Sequence, residues 1–421
     1  MIIPYRFRVV FLSFLAVFIC YIDRVNISVA IIPMQEQFGW SESQVGIILG
    51  FTGPIESLTP DMASGAELAF KEASDSGALM GGSTITTVRA DSTCIDSAAA
   101  VTAAEGLVSQ GIVAIQGADC SGVTGAVLSN VAVPNGIPMV SASATSPALT
   151  TAADNGLFFR TAPSDARGGV VLADITADRG VSSVAITYVN TDYGVGLADV
   201  FEAAAEANGI EVTTKTPHEG DKADYSAEVG VLSSAGGDAL AVLGYLDQGG
   251  NQIIRGSLDT GAFDTFVLSD GMIGDSLTDQ FGSDLNGSFG SMPGSMGASS
   301  AKFIDYAAAN GVNGEAVYVP ESYDAAALIV LAMAAADCDI SGCAGSDDSA
   351  SIAANIMDVA NGPGVKIYAG EIGKGIRLLS AGNAINYQGA SDVFFTDVGE
   401  AFGAFLEKGI EGGSFVNVAQ R

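Results

Sequence analysis

From residue 46 onward the chain alternates short apolar runs, at 47–49, 112–116, 138–141, 184–189, 240–244 and 266–268, with longer alanine-rich stretches. Within the first such stretch Ala66, Ala69, Phe70 and Ala73 recur at i, i+3, i+4 and i+7 ahead of Gly77, which predicts one buried face of a helix and its stop. Stretches 97–109, 194–208 and 299–309 have the same character. Run 325–336 makes a helix of about three turns, too short to cross a bilayer and suited to a protein core. Apolar runs between helices predict parallel strands covered on both faces. One sheet would be too wide for so many units, so the expected fold is α/β with two doubly wound parallel-sheet lobes, and the glycines fit the short turns between units.

The first 45 residues have another pattern. The uninterrupted apolar run VVFLSFLAVFICYI lies between Arg8 and Asp23, and VNISVAIIPM comes after Arg24. At 14 residues the first run falls short of the ~20 that span hydrocarbon, unless a helix continues through Asp23 and Arg24. A secretory leader would end at Ser28-Val29-Ala30, a small-x-small cleavage site, although Asp23 and Arg24 sit awkwardly for it. A retained signal anchor would instead tether the rest of the chain to the membrane.

Charge divides the chain at the same place. Arg6, Arg8 and Arg24 balance Asp23, Glu36 and Glu42, so the whole net charge of −31 belongs to residues 46–421. With 17 basic against 48 acidic side chains there is no surplus to neutralise phosphates, which excludes general binding to nucleic acid or an anionic membrane. His218 is the one histidine and no C-x-x-C pair occurs, so no metal site and no cofactor are expected. Flanked by Pro217, Glu219 and Gly220, His218 itself predicts an exposed turn without a role.

Longer matches carry two family resemblances. The head segment YIDRVNISVAIIPMQEQFGWSESQVGIILG resembles the first transmembrane helix and adjoining loop of a major-facilitator transporter of the organic-anion symporter kind. It covers about the first 50 residues, no further spans appear, and the implied arrangement is a chimera joined near 45–51. Residues 46–421 resemble a type I periplasmic binding protein of the leucine-isoleucine-valine class, through GFTGPIESLTPDMASGAELAFKEA, SQGIVAIQGADCSG, VPNGIPMVSASATSPALT, FFRTAPSD, VAITYVNTDYGVGLADVFEAAAEANG, VLSDGMIG and ESYDAAALIVLAMAAA. That resemblance implies a Venus-flytrap of two lobes joined by three crossovers, near Pro163, Pro293 and Phe395. The lobes would comprise 46–163 with 294–394 and 164–293 with 395–421, after a hydrophobic segment 1–45. It also implies a disulfide between Cys94 and Cys120, and Cys338 with Cys343 would close a small loop in a Ser/Gly/Asp-rich segment, which leaves Cys20 in the head and agrees with an oxidising compartment. Free thiols in a cytoplasmic protein are the alternative.

An amino acid needs hydrogen-bond donors for its carboxylate, an anion for its ammonium group and a pocket for its side chain, all of which loops at the carboxyl ends of parallel strands supply. Ser121 lies after one apolar run and Ala142, Ser143, Ala144 and Thr145 after another. The resemblance places these five on the ligand's carboxylate and amino groups, Asp270 on the amine from the opposite lobe, and Tyr193 in the cleft wall; Tyr245 and Tyr323 are second-rank candidates. Leu58 stands where leucine-binding relatives carry a tyrosine, and Glu56 adds a carboxylate near the expected mouth that would favour a cationic or amide-bearing ligand. Read alone, the Ser/Thr segments suit helix caps, Asp270 a turn and Glu56 a solvated face.

The function expected is the extracytoplasmic solute-binding component of an ATP-driven importer, taking a branched-chain-type amino acid or a small amide and docking on ABC permease subunits. It would be periplasmic, with residues 9–33 available as an inner-membrane tether. The alternative is a membrane-tethered ligand-sensing receptor domain of the same fold. An enzyme is not expected, since no nucleophile-base pair, nucleophile elbow or phosphate loop is present.

Overall fold

The computed structural model describes residues 42–339 and 342–421. The leader and anchor readings fall on residues 1–41, outside the described residues, as does the transporter-like one up to residue 41; its residues 42–49 form a β-strand, and among the described residues no helix is long and apolar enough to cross a membrane.

The chain opens with β1 (Glu42–Leu49), α1 (Thr59–Asp75), β2 (Thr84–Asp91), α2 (Ser97–Val108), β3 (Ala114–Gly117), α3 (Ser121–Val127), β4 (Met139–Ser141) and β5 (Phe158–Arg160). These strands form one all-parallel sheet in the order β2-β1-β3-β4-β5. β1 starts at Glu42, ahead of the composition shift at Gly46, and runs through the start of the expected join. Its polar opening residues Glu42–Gln44 pair with β2 and hid it from an apolar-run reading. Central β1 and β3 lie so close that a Cβ on Gly117, at φ +121°, would sit 2.2 Å from the Ile48 carbonyl oxygen, so only glycine serves there.

A second series comes next: α4 (Asp165–Asp178), β6 (Ser183–Val189), α5 (Asp192–Ala207), β7 (Glu211–His218), α6 (Ser226–Ala235), β8 (Ala239–Leu243), α7 (Gly250–Thr260), β9 (Phe266–Leu268), α8 (Asp275–Phe281) and β10 (Phe289–Pro293). The chain then returns to the first sheet's side with α9 (Ala298–Ala309), α10 (Val319–Ala334), β11 (Cys338–Asp339), β12 (Gly342–Cys343), α11 (Ser349–Asn361), β13 (Val365–Tyr368), α12 (Ile372–Ser380) and β14 (Ile385–Gly389). It ends in β15 (Phe405–Glu411) and β16 (Ser414–Gln420), which add antiparallel to β10 in a seven-stranded sheet, β16-β15-β10-β9-β8-β6-β7. The backbone therefore passes between the two sheets three times, after β5, after β10 and between β14 and β15.

α10 begins at Val319, earlier than its apolar run suggests, because Pro320 occupies the first turn, where an amide proton is dispensable. Its Glu321, Ser322 and Asp324 are buried with the apolar residues, and it lies against α1, whose Ala66, Ala69, Phe70 and Ala73 are all at most 1% exposed. His218 corrects the exposed-turn expectation. It closes β7 at 1% exposure, with Nδ1 2.9 Å from the Thr187 hydroxyl and an edge-on contact to Tyr225. Burial pushes its pKa down to about 4, so the ring is neutral. Both disulfides are formed, Cys94–Cys120 and Cys338–Cys343.

Candidate ligand-binding cleft

The carboxyl ends of β1, β3 and β4 face those of β6, β8 and β9, and the two series touch. The backbone N–H and hydroxyl of Ser57 both donate to Asp247 Oδ2, at 2.9 and 2.8 Å, and the Asp247 N–H donates to the Pro54 carbonyl at 3.0 Å. The Ser146 hydroxyl donates to the Asp192 carbonyl across the same gap at 3.0 Å. Between these contacts lies a cavity of ≈ 30 Å³. Ile55, Leu58 and Met62 form its apolar wall, Asp119, Ser121 and Ser143 its polar side, and Tyr193, Tyr245, Asp270 and Tyr318 its far side.

Asp270 comes just after β9 and is 7% exposed. Tyr193 Oη donates to its Oδ1 at 2.7 Å, and Tyr318 Oη donates to Oδ2. Burial raises the Asp270 pKa above the ordinary carboxylate value, and donation by the two phenols opposes that rise. Tyr193 stacks on Tyr245, with centroids 5.1 Å apart and planes at 19°. Tyr318 caps α10 from the left-handed region at φ +61°, a conformation costing on the order of 1 kcal/mol in a residue with a Cβ; it aims the phenol at Asp270.

Behind Asp270 a smaller cavity of ≈ 10 Å³ is shared by Thr145, Asp165, Ser269 and Ser291. Asp165, at the start of α4, is 4% exposed, and its Oδ2 has no hydrogen-bond partner among the described residues. Burial, then the neighbouring Asp270 carboxyl, hold its pKa well above the usual range, against the Thr145 hydroxyl and Arg160. Arg160 is already committed: its guanidinium donates to Glu400 at 2.5 Å and to the carbonyls of Ala144 and Ser146 at 3.0 and 2.9 Å. Asp119, also raised by burial, accepts from Gly50 N–H, from the Ser92 hydroxyl at 2.8 Å and from Cys120 N–H at 2.9 Å, which ties together the ends of β1, β2 and β3.

The cavity thus brings together Ser121, Ser143, Tyr193, Tyr245 and Asp270, while Thr145 reaches the inner cavity. The Ser121 hydroxyl accepts from Ser146 N–H at 3.0 Å and Ser143 donates to the Asp119 carbonyl at 3.2 Å. Three sets of candidates stand elsewhere. Ala142 and Ala144 pack into the hydrophobic cores and contribute no side chain to the cavity wall. Glu56 is exposed and accepts from Gly53 N–H at 3.3 Å within its own turn, so its charge is solvated. Tyr323 packs against Phe303 and donates to Glu72, away from the cleft. Sequence reasoning missed Asp119, Asp165 and Tyr318, and no group of acidic, histidine or cysteine side chains among the described residues is arranged to hold a metal.

A family model described as "Periplasmic binding protein" matches residues 42–365. The chain belongs to that family. The periplasmic binding protein family implies an extracytoplasmic location, consistent with the two disulfides. This binding protein is 33% identical over 213 residues to a Leu/Ile/Val-binding protein homolog of Brucella melitensis, covering 50% of this chain and 56% of the relative. It is 27% identical over 356 residues to a chemotactic signal transduction system substrate-binding protein, BasB, of Halobacterium salinarum, covering 82% and 81%. The chain spans between about half and two thirds of the length of the Brucella relatives it matches. Among solved structures, the branched-chain amino acid transporter substrate-binding protein LivJ of Streptococcus pneumoniae, in complex with isoleucine, superposes with a TM-score of 0.71 at 19% identity, covering 90% of this chain and 100% of that one. That likeness shows the type I fold.

Proposed function

We propose that this protein is the solute-binding component of an ABC importer and closes on an amino acid of branched-chain type or a small amide. The observation that carries this reading is Asp270, a buried carboxyl fixed by two tyrosines and facing an apolar wall. A protonated amine would lie against Asp270, with Asp165 behind it, and would supply the positive charge that Arg160 cannot. The ligand's acceptor end would take the hydroxyls of Ser121 and Ser143, and Ile55, Leu58 and Met62 would cover an aliphatic side chain. Lobes 46–163 with 294–394 and 164–293 with 395–421 would move about the three passages, and permease subunits would read the closed form. The ligand selects that form by its contacts to both lobes.

A second reading, a ligand-sensing receptor domain held at the membrane by residues 9–33, draws support from the chemotactic relative. Both share one test of the site, thermal unfolding of the oxidised protein against amino acids, amides and amine-free carboxylates. Ligand at about a thousandfold over its dissociation constant adds ~4 kcal/mol, a shift of several degrees. A folded protein that no amino acid or amide shifts would overturn the assignment.

A further inference from the structure

All three passages between the sheets meet around one small polar cavity of ≈ 10 Å³. Thr161 and Pro163 line it from the first passage, Pro293 and Gly294 from the second, and Ser391, Asp392 and Ala401 from the third. The first turn of α10 contributes the one buried carboxyl among these, and it has an oxygen without a partner. Glu321 is 2% exposed, its Oε2 has no hydrogen-bond partner among the described residues, and its carbonyl accepts the Thr161 hydroxyl at 2.8 Å. No lysine or arginine lines the cavity. An ionised, unpaired carboxylate in such a place would be among the most costly groups a protein can bury, whereas a neutral acid carries only the cost of an unsatisfied polar atom.

We propose that Glu321 couples lobe movement to a proton, so that the closed form takes one up at the hinge and opening, which rearranges the three passages and admits water, releases it. The inference rests on the cleft closing over a ligand, as in the proposed function, but not on which ligand. Burial is the main cause of the closed-form Glu321 pKa of about 8. Asp324, three residues further along α10, adds a smaller push in the same direction. Asp324 itself is held by the Tyr387 hydroxyl at 2.6 Å, by Ala390 and Ser391 N–H at 2.8 Å and by the Ser391 hydroxyl at 2.6 Å. The other charged group on the cavity is Asp392, which accepts from the Ser295 hydroxyl at 3.0 Å. Arg160, whose carbonyl accepts from Ala401 N–H in the third passage, directs its guanidinium to Glu400. No cation is therefore placed to keep Glu321 ionised. Hydrated in an open form, the group falls back towards ~4.5, the closed form binds the extra proton between these values, and closure weakens as pH rises through them.

The test is calorimetric binding to the full chain across pH 5 to 9, in buffers of different ionisation enthalpy, using whichever amino acid or amide gives the largest thermal shift. For the wild type the dissociation constant should rise by up to tenfold per pH unit up to about 8 and then level, with proton uptake on binding. Glu321→Gln, which mimics the neutral acid, should bind at neutral pH at least as tightly and lose the part of the slope that reaches to about pH 8, leaving whatever Asp119, Asp165, Asp270 and Asp324, whose own pKa burial raises to about 6, contribute. If the glutamine variant does not fold, Glu321→Leu fills the same space without a proton. Small-angle scattering of unliganded protein supplies a readout independent of ligand identity: the wild type should expand as pH rises from 6 to 9 and the variant should not. Identical proton uptake in wild type and variant, or identical expansion, overturns the proposal while leaving the binding function intact. Absence of any ligand, with the scattering difference present, overturns the binding function and keeps the hinge.

Discussion

Replacing Asp270 by asparagine separates what the carboxylate does for the ligand from what it does for the fold. In the unliganded protein the two phenols that donate to Oδ1 and Oδ2 are the carboxyl's compensation for being buried at 7% exposure. Asparagine keeps one carbonyl acceptor and presents an NH₂ to the other phenol, which can rotate its proton and accept instead. The loss is at most one buried hydrogen bond, about 1–3 kcal/mol. Against it stands relief of a buried charge, the reason the native pKa is raised, and of repulsion from Asp165. The opposing effects are of similar size, so the melting temperature without ligand should move by only a few degrees. Binding should respond very differently. A desolvated ammonium–carboxylate pair that loses one partner typically costs about 2–5 kcal/mol, or ~30-fold to several thousandfold in dissociation constant. Titration calorimetry with the amino acid giving the largest thermal shift measures the second quantity, and unfolding without ligand measures the first. An Asp270→Asn protein that binds within threefold of wild type would refute the amine role. One that unfolds many degrees earlier without ligand would show the carboxylate to be a structural node instead.

Gly65 on α1 leaves 2.9 Å between a would-be Cβ and the Val319 carbonyl, so Gly65→Val should cost about 1–3 kcal/mol in urea unfolding and, by shifting the start of α10 beside Tyr318, also weaken ligand binding. Removing the Cys94–Cys120 bridge, whose partners are 26 residues apart, should destabilise by roughly 3.5 kcal/mol on loop-entropy grounds, with about 2 kcal/mol for Cys338–Cys343. Paired alanine variants compared by urea midpoint would show the order, and a larger effect from the short loop would contradict it. His218, with a native pKa of about 4 against an unfolded value near 6.5, should remove up to ~3 kcal/mol as pH falls from 6.5 to 4, because the unfolded chain binds the proton more readily. His218→Phe should flatten that part of the acid limb, and an unchanged limb would locate the titration elsewhere.

The elements legible in the sequence are those whose burial on both faces of a sheet is written into it. β9 is the apolar run at 266–268 and nothing more, and the runs at 184–189 and 240–244 lie within a residue of β6 and β8, because central parallel strands have no solvent side to mark with polar residues. β2 and β7 are edge strands with the sequences TITTVRAD and EVTTKTPH, and with one neighbour each they keep too little apolar character to register. His218 misled for the same reason. Its neighbours in sequence are turn formers, but as the last residue of an edge strand it turns inward under Tyr225, a fact of tertiary packing. The site divides along the same line. Asp270 and Tyr193 sit in the loop after one strand and at the start of the helix after another; their local sequence suits a turn and a core aromatic, and only the family resemblance singled them out as residues that line the cavity. Asp165 and Asp119 read locally as a helix-start residue and a turn residue, and Tyr318 as part of a connecting loop; none carries a local sign of function. Their meaning arises only when three distant segments converge on Asp270 and leave it two hydroxyl donors, a neighbouring carboxyl and no cation. That balance of charge, more than any one side chain, is what the proposed amine ligand would complete.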